Sequence, residues 1–346
     1  MHRPELAASV LACQSWVLAA RATLYRRIYF RTVGARAAKL ETTLSSSPHI
    51  CALIRHLWVM HTEECRNHLL SWVSLIPANS LLSLHLVKMP VSTGPTPLLQ
   101  FPAIRTVPHI TIARSSFLQA QPSNLAVILS FPLLKSLSFL VNTLPLRLEG
   151  PLRLQRLSIG VMEDGRPQLL AVILNAIVPH SLRKLDLYLS SLEEDHVAWL
   201  TDLLQPHLPE LRHLAIRTLD RTRTAVFVDN IIGLMPHLES LACGRRTYTS
   251  QLLSTVPHSL RSLTLESDDN EPFPREELEE SVERLCNTSH RRFSSLTIGR
   301  HPSYPNSLYF ERVSRVCQSF GVSFTINRGS ISEHLELGLG GAFSRV

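Results

Sequence analysis

The chain has 346 residues, 45% of them hydrophobic and 18% charged, a balance that supplies a continuous core and excludes a highly charged, disordered polypeptide. Its formal net charge of +7 is concentrated at the start, where Arg3, Arg21, Arg26, Arg27, Arg31, Arg36 and Lys39 face Glu5 alone, so the remainder is close to neutral and lacks the spread basic surface of a nucleic-acid-binding protein. Cys13, Cys51, Cys65, Cys243, Cys286 and Cys317 form no CxxC pair, which in a chain this long predicts reduced, mostly buried thiols rather than a disulfide framework.

Taken from the N-terminus, Leu6 to Ala20 is apolar behind Arg3 and runs into Ala20-Arg21-Ala22, the outline of a cleavable signal, but Glu5, Gln14 and Trp16 interrupt it. Residues 1–35 read instead as a short helical segment, with Leu24, Tyr25, Ile28 and Phe30 on the buried side of a helix-strand junction. From residue 36 a phrase returns: a turn, often with proline, then apolar-x-x-apolar-x-apolar. It opens weakly at Ile54, Leu57 and Val59, is clear at Leu81, Leu84 and Leu86, and is poorly matched near Ile104 and Val107. It continues at Leu134, Leu137 and Phe139, at Leu154, Leu157 and Ile159, and at Leu182, Leu185 and Leu187. Further copies are Leu211, Leu214 and Ile216, then Leu238, Leu241 and Cys243, then Leu260, Leu263 and Leu265. Phe293, Leu296 and Ile298 give a weaker copy, and Val322, Phe324 and Ile326 a terminal one.

The central positions recur every ~27 residues, inside the spacing of leucine-rich repeats. Residues two apart on a strand face the same way, so the second and third apolar positions enter the core together and their neighbours face out. Between copies lie amphipathic segments of helical length: Cys65 to Ile76, Pro167 to Val178, Glu193 to Leu204, Ala225 to Met235, Pro274 to Cys286 and Asn306 to Phe320. The expected fold class is therefore α/β, an irregular leucine-rich-repeat solenoid over 36–326 with parallel strands and outer helices. The tail 327–346, with Gly338, Gly340 and Gly341, is expected to fray. Leu125 to Leu144 imitates a membrane span but carries Pro132 and Lys135 near its middle, which a helix followed by a strand explains better. Many of the 16 histidines sit at turns, as in Pro179-His180, Pro236-His237 and Pro257-His258, and the trio His61, Cys65, His68 has metal-like spacing that reads better as incidental surface.

Ahead of the repeats stands Leu11-Ala12-Cys13-Gln14-Ser15-Trp16-Val17, then Ala19-Ala20 and Leu24-Tyr25-Arg26-Arg27-Ile28. That string resembles the second half of an F-box, and with the repeats behind it the chain resembles the F-box and leucine-rich-repeat proteins of mushroom-forming fungi. Family members open with Leu-Pro-x-Glu and a first helix, which Met1 to Glu5 does not supply, so the resemblance implies a box shortened at its start, through either an internal start codon or decay. The resemblance implies a substrate-recognition subunit of a cullin-RING ubiquitin ligase that holds a Skp-type adaptor through Leu11, Cys13, Trp16, Val17 and Leu24. Cytoplasmic or nuclear residence follows from it, with an unidentified protein target. Capping the end of the solenoid is the alternative role for Trp16 and Cys13, which would leave an interaction scaffold with no ligase partner.

No Gly-rich phosphate loop, GxSxG elbow or HExxH occurs, so neither an enzyme nor a cofactor is expected. The acidic run Glu266, Asp268, Asp269, Glu271 lacks the Gly and terminal Glu of a calcium loop. Neither a nucleic acid nor a membrane is expected as a partner. Alternation places the candidate target surface: with Leu185 and Leu187 inward, Lys184, Asp186 and Tyr188 face out, as do His213 and Arg217, then Ser240, then Ser262, Thr264 and Glu266. Tyr188 and Arg217, flanked by the small Ala215, Ala242 and Gly244, are the expected protruding anchors.

Overall fold

A computed structural model describes residues 16–31, 34–60, 67–87, 97–113, 122–141, 148, 150–161, 167–218, 224–266, 275–287, 293–299 and 310–327. The fold is α/β, with twelve strands among the described residues, separated by helices and turns. The chain divides after Leu154 into two compact units. The first unit holds β1 (Arg27–Arg31), β2 (His56–Met60), β3 (Ser83–Val87), β4 (His109–Ala113) and β5 (Ser136–Val141), paired in parallel in chain order. The second holds β6 (Arg156–Val161), β7 (Lys184–Leu189), β8 (His213–Thr218), β9 (Ser240–Cys243), β10 (Ser262–Glu266), β11 (Ser295–Gly299) and β12 (Ser323–Asn327), likewise parallel and in order.

The register lines up the apolar phrase. In the first unit Ile28 pairs with Leu57, Leu57 with Leu84, Leu84 with Ile110 and Ile110 with Leu137, all buried. In the second, Leu157, Leu185, Leu214, Leu241, Leu263 and Leu296 form the same ladder. Each rung removes a leucine side chain from water, about 1.5–3 kcal/mol of hydrophobic stabilisation apiece. Burial in β7 alternates half-buried and buried at every residue, as its sequence requires.

Two strands correct the sequence reading. β1 lies inside 1–35, read as helical; its phrase, Tyr25, Ile28, Phe30, is aromatic and β-branched rather than leucine-rich, and Phe30 packs edge-on against Trp72 at 5.5 Å. β4 begins two residues beyond Val107, so the matching phrase is Val107, Ile110, Ile112, with Ile104 buried in the preceding short helix.

The helices are shorter than their amphipathic segments suggest. Cys65 to Ile76 becomes a 3-10 helix, Asn67–Leu75, whose Ser74 hydroxyl donates to the Ser71 carbonyl at 2.6 Å, a bond that competes with α-helical pairing. Ala225 to Met235 shrinks to Val228–Ile231 and a 3-10 turn, Ile232–Leu234, as expected of a stretch rich in β-branched residues with Gly233 inside it. Of the other four, three run close to expectation, Pro167–Ala176, Glu194–Leu204 and Arg275–Asn287, while Glu311–Ser319 is a shortened version of the last segment. Neighbouring helices in the second unit are tied by Arg284, which donates to the Leu253 carbonyl at 2.7 Å, and by Arg312 beside Glu279 at 3.3 Å. Pro122–Leu129 is a helix and Ser136–Val141 a strand, as read for that apolar stretch, and no described helix is long and apolar enough to cross a membrane.

The backbone links neighbouring repeats. At strand entry one carbonyl accepts two consecutive N–H groups of the next repeat: Arg26 from Arg55 and His56, Arg183 from Arg212 and His213, Arg212 from Glu239 and Ser240, Glu239 from Arg261 and Ser262. Two backbone N–H groups are thereby paired at each of these junctions. His180, His237 and His258 occupy turns, His180 at a left-handed φ of 63°. Cys51, Cys243, Cys286 and Cys317 are buried thiols outside any disulfide, and burial raises those of Cys51, Cys243 and Cys317, the last to about 11.

Candidate functional site

Two surfaces gather the residues expected to bind partners. The first is the helix Val17–Tyr25, nine residues rich in alanine that end at Arg26 and lead straight into β1. Only Ala20 is buried. Trp16 is 55% exposed and Leu18 79%, while Val17 and Leu24 are half-buried. Leu11 and Cys13 lie outside the described residues. Leu18, more exposed than Trp16, is absent from the set that the F-box resemblance implies, and helical geometry turns it about 100° from Val17.

The second surface is the outward face of the strands in the second unit. Lys184 and Asp186, two apart on β7, pair at 3.1 Å. Tyr188 pairs in register with Arg217 of β8, and Arg217 Nη1 donates to the Tyr188 hydroxyl at 2.8 Å while its guanidinium lies 5.3 Å from the ring centroid. Arg217 also approaches Glu266 of β10, with Nε 3.8 Å from Oε1, although β9 runs between them. Gly244 sits just beyond the end of β9: a Cβ at that position would lie 2.9 Å from the Arg217 Cα, and its N–H donates to the Ile216 carbonyl at 2.7 Å. Tyr248 donates its hydroxyl to the Glu266 carbonyl at 3.0 Å.

The structure therefore brings Tyr188, Arg217 and Glu266 together, and adds Gly244, Arg245 and Tyr248 to them. Burial pushes the Glu266 carboxyl up, opposed by Arg217 and Arg245, and pushes the Tyr188 hydroxyl up against the pull of Arg217. His213 is held down by burial and by Lys184. Ala215 is buried although it points outward, because it is small and lies between Asp186 and Ala242 in register. Ser262 meets Ser295 through their hydroxyls at 2.9 Å, and Ser240 and Thr264 are half-buried. Tyr188 and Arg217 thus lie against each other, half-buried, rather than protruding as separate anchors.

A third feature lies on the strands of the first unit, where the sequence reading places no site. The outward central positions of β1, β2 and β3 are Tyr29, Trp58 and His85, stacked with centroids 4.6 Å and 4.5 Å apart and planes 17° and 3° from parallel. The alternation applied to Leu185 and Leu187 also yields these residues when applied to Ile28 and Phe30, Leu57 and Val59, Leu84 and Leu86. Burial, then His56, holds the His85 imidazole down to about 4. Among the described residues no three His, Cys, Asp or Glu side chains converge as metal ligands. Of the metal-like trio, His61, Cys65 and the side chain of His68 lie outside the described residues. Of the acidic run, only Glu266 is described. In comparison with known proteins, the chain matches no family model and no curated protein sequence.

Proposed function

We propose that this chain is a non-catalytic protein-interaction subunit, an irregular leucine-rich-repeat protein that recruits targets to a cullin-RING ubiquitin ligase. The observation that carries the reading is the Val17–Tyr25 helix, which keeps Trp16 and Leu18 in water while only Ala20 is buried. An F-box grips its Skp-type adaptor with apolar side chains of this kind, and Val17 and Leu24 flank the same surface, joined in sequence by Leu11 and Cys13. The outward face around Lys184, Asp186, Tyr188, His213, Arg217 and Glu266 is the proposed target surface, because Tyr and Arg carry a disproportionate share of binding energy at protein interfaces. The test is direct binding of a purified fungal Skp-type adaptor to the full chain by titration calorimetry. Saturable binding supports the reading. No binding leaves the second reading, a repeat scaffold in which Trp16 belongs to a helical cap; the buried Ala20 and the direct run of the helix into β1 favour that one.

A further inference from the structure

The strands of the first unit present a face whose chemistry differs from the proposed target surface. β1 to β5 contain no Asp or Glu at any position, whereas Arg27, Arg31, His56, His85 and His109 all point outward. Register arranges that face in three rows. The first runs Arg27, His56, Ser83, His109, with His56 Nδ1 and Ser83 Oγ 2.9 Å apart. The second is the stack Tyr29, Trp58, His85, followed by Thr111. The third is Arg31, Met60, Val87, Ala113, apolar after its first member. Arg27 and Arg31 are exposed, and the other outward members except Trp58, Ser83 and Ala113 are half-exposed.

The stack decides which anion fits. Centroid spacings of 4.6 Å and 4.5 Å match the ~4.8 Å between neighbouring strands, so the rings stand across the strand-to-strand direction and turn their edges to solvent. Both faces of Trp58 are covered, which is why it is only 8% exposed. A nucleobase needs an open ring face to stack on, and Trp58 offers none. Ring edges carry the positive end of the aromatic quadrupole, so they favour carboxylate and carbonyl oxygens. The apolar third row asks for aliphatic side chains beside those oxygens.

We propose that the outward face of β1 to β4 is a second docking surface, one that takes an acidic segment of a partner protein in which carboxylates alternate with aliphatic residues. Arg27 and Arg31 meet the carboxylates, the ring edges meet backbone carbonyls, and Met60 and Val87 meet the aliphatic side chains. This surface is separate from that around Tyr188 and Arg217 and does not depend on ligase membership, so the two readings stand or fall apart.

The probe is a fluorescein-labelled twelve-residue peptide of alternating Glu and Val, titrated into the full chain by fluorescence anisotropy at low salt. A Glu-Ser peptide and a twelve-nucleotide oligo-dT, both of equal length, are run beside it. The expected result is saturable binding that is tightest for Glu-Val and weakens as salt screens the arginines. Arg27→Glu with Arg31→Glu should weaken it by about tenfold or more, and Arg27→Lys with Arg31→Lys should retain it. If the charge-reversed pair does not fold, Arg27→Gln with Arg31→Gln decides in the same direction. Equal binding by wild type and the charge-removed pair overturns the proposal, as does oligo-dT binding as tight as Glu-Val. A sedimentation profile in which the pair alters only self-association, with no peptide bound, assigns the face to a second copy of the chain and also overturns it.

Discussion

The strand faces of the two units are built on one repeat and finished differently. In the second unit outward charges find partners: Lys184 with Asp186, Arg217 with Glu266, and Arg217 again with the Tyr188 hydroxyl. In the first unit the described strands carry Arg27 and Arg31 and no Asp or Glu of their own, and aromatic rings fill the central row. Since the inward leucines are interchangeable between units, the core says nothing about this difference. The outward residues, one position away on the same strands, hold all of it. Parallel register then does the rest, because it stacks whatever stands at one position directly on its neighbour ~4.8 Å away. Tyr, Trp and His at consecutive positions become a stack, and Tyr and Arg become a hydrogen-bonded pair.

The largest expected effect tests what the units share. Leu185→Ala and Leu57→Ala each delete a fully buried rung and should cost about 2–5 kcal/mol, read as a lower urea midpoint. A midpoint equal to wild type for either would mean that its ladder position is wrong.

The next effect sharpens the contrast through pH. His85 is held down to about 4 in the folded stack against 6.5 for the free side chain, so the unfolded chain binds the proton first. Stability that is present above pH 6.5 is therefore lost as pH falls from 6.5 toward 4, by an amount on the order of 3 kcal/mol. His85→Phe keeps a ring in the row and removes the titration, so it should flatten the acid limb of a stability profile. His207 in the second unit is buried, with Nε2 3.2 Å from the Leu174 carbonyl, and burial lowers its pKa too. Some acid sensitivity below pH 6.5 should accordingly survive the His85 change.

Gly244→Ala breaks the contrast from the other side. The new Cβ would press on the Arg217 backbone at 2.9 Å, costing about 1–3 kcal/mol and moving Arg217 away from Glu266. Smallest of all, Tyr188→Phe removes one hydrogen bond to Arg217, worth about 0.5–1.5 kcal/mol in thermal unfolding. A Tyr188→Ala, Arg217→Ala pair should lower stability modestly as well as weaken target capture, because these side chains lean on each other.

The inward half of every leucine-bearing strand was legible because period-two burial writes itself directly into the sequence, as at Leu182, Leu185 and Leu187. At β1 the helix-strand junction was legible but the repeat was not, since Ile28 and Phe30 follow a helix without a proline turn and without leucine. The short outer helices were over-read because apolar spacing alone does not separate an α-helix from the 3-10 turns that β-branched and serine-rich segments prefer. The proximity of Tyr188 and Arg217 followed from register. The approach of Arg217 to Glu266 past Gly244 did not, since it is a three-dimensional accommodation between strands that are not neighbours. The shared carbonyls at strand entry were hidden for another reason: backbone atoms make them, at Glu239 as at Arg26, Arg183 and Arg212.

The central claim is that this is an interaction subunit with the adaptor surface on the Val17–Tyr25 helix and the target surface on the strands of the second unit. Quantitative affinity purification of the tagged full chain measures it most directly, with wild type compared with Trp16→Ala, Leu18→Ala and with Tyr188→Ala, Arg217→Ala. The account predicts that the first pair loses the Skp-type adaptor and cullin but keeps a specific target, and that the second keeps the adaptor and loses the target by about thirtyfold, equivalent to ~2 kcal/mol. Absence of adaptor and cullin from the wild-type preparation, or equal recovery of both partners by all three proteins, would contradict it.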